Sequence, residues 1–81
     1  MFFRKKQTRL GQNVLFVRED GCMAHIKTLE AVGQIIEHRK LKQNKKFTEV
    51  VVKTVDGEIK TFVEWCAGVV KLNSKTWIVY T

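Results

Sequence analysis

Eighty-one residues leave room for one small hydrophobic core and exclude a two-domain enzyme with a deep interdomain cleft. Apolar residues make up 44% and charged residues 28%, ordinary globular usage that excludes disorder as the expectation. Fifteen lysines and arginines against eight acids give a net charge of +7, an excess that on so small a body attracts polyanions.

Residues 1–10 read as a basic arm in front of a single domain spanning 11–81. Arg4, Lys5, Lys6 and Arg9 give residues 1–12 a charge of +4 with no acid. Charge stands where a signal peptide would need its apolar core. No apolar run approaches the ~20 residues needed to span a bilayer. Cys22 and Cys66 do not make a dense disulfide framework. The expected location is therefore the cytoplasm, or a host's cytoplasm if the chain is phage-encoded, with reduced thiols; a single bridge between Cys22 and Cys66 is the alternative. Phe2 and Phe3 beside the basic run also fit a weak interfacial membrane anchor, a reading ranked third.

Asn13 to Val17 alternates as a strand, Glu19-Asp20-Gly21 reads as a turn, and Cys22 to Ile26 returns from it. Residues 28–42 admit two readings. As a helix over 28–41, Leu29, Val32 and Ile36 share a stripe; as a strand, Gly33 to His38 leads into a basic loop. The strand is preferred, since Gly33 inside a helix costs about 1 kcal/mol relative to alanine. Arg39, Lys40, Lys42, Lys45 and Lys46 then give residues 39–46 a charge of +5. The two basic runs hold the whole excess: residues 13–38 sum to −2 and residues 47–81 to zero.

Phe47 to Val55 and Glu58 to Trp65 are rich in β-branched and aromatic residues and flank Asp56-Gly57, a strong hairpin signal. A two-residue type I′ turn pairs Val55 with Glu58. One face then carries Val50/Val63, Val52/Thr61, Thr54/Ile59 and Thr48/Trp65 toward the core. The other carries a Lys53/Lys60 like-charge rung beside an exposed Phe62. A bound phosphate would relieve that rung; so would the acids on neighbouring rungs. Val69 to Leu72 and Thr76 to Tyr80 form two more strands across Asn73-Ser74-Lys75. An exposed edge on Thr76–Tyr80 would let a second copy pair as a homodimer.

Leu10 to Val17, Val32 to Glu37, the Asp-Gly hairpin and Trp65 to Lys71 together resemble a small SH3-like barrel of the Tudor or KOW type. The resemblance implies an all-β fold, a five-stranded barrel closed on itself, and a binding function without catalysis. The alternative fold is α+β, with the helix packed on an antiparallel sheet. The fifteen residues between Val17 and Gly33 exceed a plain barrel loop, Thr76–Tyr80 is an addition, and no complete aromatic cage for a methylated side chain is legible.

Cys22-x-x-His25 has ligand-like spacing, with His38 and Cys66 as the other candidates for a zinc site. Those two lie far apart in the chain, so a buried Cys66 and surface histidines are the better reading, and no metal or cofactor is expected. No local pattern ties a nucleophile to a base and no glycine-rich phosphate loop occurs, so an enzyme is not expected. The leading expectation is a nucleic-acid-binding module of weak sequence specificity. Arg4, Lys5, Lys6, Arg9, Arg39, Lys40, Lys42, Lys45 and Lys46 would neutralise phosphates of DNA or RNA. Lys53 and Lys60 would add contacts from the sheet, and Phe62 would stack on a base. The alternative is a small phage-type or mobile-element-type regulator that docks a basic, aromatic surface on an acidic patch of a host protein. Either partner leaves a solvated tail and loop as the competing account of the two charge runs.

Overall fold

The computed structural model describes residues 7–20, 26–66 and 68–81. They form six strands: β1 (Asn13–Asp20), β2 (Ile26–Lys40), β3 (Thr48–Thr54), β4 (Ile59–Val63), β5 (Val69–Asn73) and β6 (Thr76–Tyr80). Their order in one sheet is β4-β3-β2-β1-β6-β5, with every neighbouring pair antiparallel except β1 and β6, which run parallel. No helix occurs among the described residues, so the fold is all-β and residues 28–41 belong to strand β2.

Two structural expectations give way here. The sheet has six strands with β4 and β5 as its edges, so it is not a closed five-stranded barrel. Strand β6 lies between β1 and β5, so Thr76–Tyr80 offers no free edge to a second copy. The carboxy-terminal hairpin is the cause: it adds two strands beside β1, where a barrel of this kind would close. The predicted turn at Glu19-Asp20 is also replaced by strand, because β1 runs on to Asp20. The other residues of that turn and return, 21–25, lie outside those described.

The sheet curls strongly. β1 and β4 are three strand spacings apart, about 14 Å on a flat sheet. Yet the rings of Phe16 and Phe62 meet edge-on with centroids 6.3 Å apart. Two bulges in β2, at Glu30 opposite Phe16/Val17 of β1 and at Ile36 opposite Val51/Val52 of β3, provide the bend. Between them lies Gly33, where a Cβ would stand 2.6 Å from the Lys53 carbonyl oxygen and 2.6 Å from Val52 Cγ1, so no larger residue fits without a shift. The concave face then buries one cluster drawn from all six strands, including Val14, Phe16, Ile35, Val50, Phe62, Val69 and Trp77. Gln12 ties the start of β1 to the final hairpin: its Oε1 accepts from Trp77 Nε1 at 2.7 Å, and its Nε2 donates to the Ser74 carbonyl.

The β3–β4 hairpin differs by one residue from the two-residue expectation. Val50 pairs with Phe62, Val52 with Lys60, and Lys53 with Ile59. The turn is a three-residue loop, Val55-Asp56-Gly57, closed by Thr54 N donating to Glu58 O at 2.8 Å and Gly57 N to Thr54 O at 2.9 Å. A type I′ turn needs positive φ at both central residues, and only Gly57 has it here, at 87°. Thr54 Oγ1 also accepts from Glu58 N, which settles the wider loop. Because side chains alternate along a strand, this single slip turns every β4 side chain over. Phe62 goes into the core at 7% exposure, and Trp65, expected inside, is 43% exposed.

Candidate functional site

The basic loop between β2 and β3 is an ordered turn. Phe47 N donates to Asn44 O, Lys46 N to Asn44 Oδ1, and Leu41 N to Phe47 O. These bonds use the backbone groups and leave the lysines pointing outward. Lys40, Lys42, Lys45 and Lys46 are exposed, and among the described residues none has a carboxylate within ion-pair distance. Arg39 differs: its Nε donates to Glu49 Oε1 at 2.6 Å, so its charge is answered locally. A cavity of about 340 Å³ lies in the loop, lined by Arg39, Lys40, Leu41, Lys42, Gln43 and Glu49.

The root of the arm docks at the same end of the sheet. Thr8 is buried at 6% exposure. Its backbone N donates to Glu64 Oε2 at 2.9 Å, its Oγ1 donates to the same oxygen at 2.5 Å, and that Oγ1 lies 2.7 Å from His38 Nε2. His38 lies two residues before Lys40 on β2, and Glu64 follows β4, its N donating to the carbonyl of Thr48. Gln7, Thr8 and Arg9 line a cavity of about 360 Å³ with His38, Thr48 and Glu64. So Arg9 and the lysine loop share one end of the molecule. Arg4, Lys5 and Lys6 lie outside the described residues, as do the arm's Phe2 and Phe3.

The remaining predicted site residues part company. Lys53 is exposed near the Asp56-Gly57 turn, five residues along β3 from Thr48 and so about 17 Å from the loop. Lys60 shares the concave face with Phe62, its Nζ 5.6 Å from the Phe16 ring centroid. The Lys53/Lys60 rung therefore does not exist, because the one-residue slip sends the two side chains to opposite faces. Phe62, the predicted stacking ring, is core for the same reason.

Trp65 was missed as a surface residue. Its φ of 74° is the only positive φ at a non-glycine position among the described residues. That conformation costs an L-residue about 1–2 kcal/mol. The turn is fastened on both sides, by Glu64 N to Thr48 O before it and Cys66 N to Val63 O after it. Glu64 N donating to Thr48 O joins the residue before Trp65 to the residue after Phe47, so Trp65 and Phe47, the latter 39% exposed, lie at the same end of the β3–β4 hairpin. No local sequence signal marks Thr8, His38 and Glu64 as a cluster, since they are 30 and 56 positions apart.

The far end of β1 and β2 carries the opposite charge. Arg18 Nε meets Asp20 Oδ2 at 2.7 Å and its Nη1 meets Glu30 Oε1 at 3.1 Å. The hydrogen bond to Asp20, then the charges of Asp20 and Glu30, hold the guanidinium above its ordinary pKa.

Of the zinc candidates, Cys22 and His25 lie outside the described residues, His38 is engaged by Thr8, and Cys66 is exposed where it was expected buried. Among the described residues no group of three or more His, Cys, Asp or Glu is arranged to hold a metal, and no helix is long and apolar enough to cross a membrane. Compared with protein-family models, with curated proteins and with solved structures, the chain matches none.

Proposed function

We propose that this protein is a non-catalytic nucleic-acid-binding module that grips the phosphate backbone with one basic end. The observation that carries the reading is the loop from Lys40 to Lys46: four exposed lysines without carboxylate partners among the described residues, on an ordered turn, with Arg9 at the same end. Lysines held near one another without internal ion pairs are answered most completely by a polyanion. Arg4, Lys5 and Lys6, which precede the docked Thr8 in the chain, join the contact set on this reading. Arg39 contributes less, because binding must compete with Glu49. Lys53 and Lys60 are minor contributors and Phe62 none.

The test is a titration of DNA and RNA oligonucleotides at several salt concentrations. Engagement of six phosphates gives a log–log slope of about −5 on duplex DNA, from roughly −0.9 per contact. Absence of binding at low salt sinks the reading.

A second reading, a regulator bound to a host protein, draws support from the convex face. There Val70 pairs with Ile78, Ile78 with Leu15 and Leu15 with Val32, an uncharged row across four strands that ends near Val55, whose N donates to Val32 O. A stoichiometric protein partner that survives nuclease treatment of a lysate would favour this second reading; loss of all partners would favour nucleic acid.

A further inference from the structure

We infer that Trp65, with Phe47 at the same end of the hairpin, is a stacking platform for unpaired bases, which makes the ligand of the basic end a single strand. This rests on the nucleic-acid reading and names its substrate class. The chain does three things at once here. It places a tryptophan in a left-handed backbone conformation that bulky residues avoid, and fastens the turn on both sides, yet leaves the indole 43% exposed. It brings Phe47, 39% exposed, to the same end of the hairpin through the bond from Glu64 N to Thr48 O. It puts Lys45 and Lys46 immediately before Phe47, at the foot of the unpaired lysine loop.

Of the neighbouring acids, Glu49 is answered by Arg39, while Glu64 keeps its charge and turns its Oε2 to the buried Thr8. A strand laid along such a surface can set its phosphates on the lysines and its bases on the rings. Every base has a π-face, so the contact tolerates sequence. In a duplex those faces are already stacked on one another and are out of reach. The predicted stacking residue, Phe62, cannot serve, being inside the core.

The experiment is a fluorescence-anisotropy titration of the intact protein with labelled oligothymidylate, oligouridylate and a duplex of equal length, alongside W65A, W65F and a variant with Lys40, Lys42, Lys45 and Lys46 changed to glutamine. The expected result is preference for the single strands and quenching of tryptophan emission on binding. W65A should lose about tenfold in single-strand affinity, W65F should recover most of it, and duplex binding should stay where it was. The salt slope of W65A should match that of the parent, since its phosphate contacts are intact. Equal affinity of W65A and parent for single strands overturns the inference, as does an equal loss on duplex and single strand. If W65A fails to fold, the quenching and the single-strand preference of parent and W65F decide. Single-strand and duplex binding that the lysine variant weakens alike and W65A leaves unchanged keeps the basic-end reading standing without the platform. No binding to any of the three ends both.

Discussion

Thr8 and Trp65 show how single side chains hold the basic end together. One Thr8 hydroxyl serves two partners, donating to Glu64 and lying within hydrogen-bond reach of His38. In T8V the shape survives but His38 Nε2 loses this partner and Glu64 Oε2 loses one of its two donors. The expected cost is about 1–3 kcal/mol in a urea denaturation, the range for a part-buried polar group left unsatisfied. An unchanged midpoint would mean that the contact contributes nothing. Trp65 gives the converse case. Glycine enters the left-handed region freely, so W65G should be more stable than W65A by about 1 kcal/mol, although glycine is the more flexible residue in the unfolded chain. If alanine is the more stable of the two, the backbone at this position is not under the strain that φ implies.

At the scale of the element, the β3–β4 hairpin decides which aromatic is core and which is surface. F62A removes a ring from a cluster that spans the whole sheet and is expected to destabilise by about 3–5 kcal/mol, read from thermal or urea unfolding. Its nucleic-acid affinity per folded molecule should not change, which is where it parts from W65A. Strand identity was legible here because β-branched runs flank Asp-Gly, and β6 is as expected from its sequence. The register was not legible. Asp56-Gly57 permits both a two-residue and a three-residue loop, and the choice rests on the Thr54 hydroxyl capturing Glu58 N and on burying Phe62 in place of Thr61. Strand β2 was half legible: Val32 and Ile36 fit either period, and the extended form wins because β1 and β3 pair with it on both sides and Gly33 is wanted at their close approach. The lysine loop could be read from composition alone, whereas the cluster at Thr8 depends on contacts distant in sequence and has no local trace.

Across the whole molecule, charge is divided along β2. Arg18, Asp20 and Glu30 answer one another at one end, while Lys40, Lys42, Lys45 and Lys46 crowd the other. Changing the four loop lysines to glutamine should flatten the salt slope by about 3–4 on duplex DNA while leaving the unfolding midpoint in low salt unchanged or raised, because like charges are removed. A fall in stability with an unaltered slope would instead give those lysines a role within the fold. One further consequence comes from the parallel partnership of Asn13–Val17 with Thr76–Tyr80. A nascent chain must hold β1 half-clad until β6 has emerged, since Trp77 and Val79 complete the interior that Val14 and Phe16 begin. Maturation is therefore all-or-none with respect to β6: a ribosome stalled before Thr76 releases no miniature version of the domain, and a pulse-chase protease assay should find resistance only in products that contain Thr76–Tyr80.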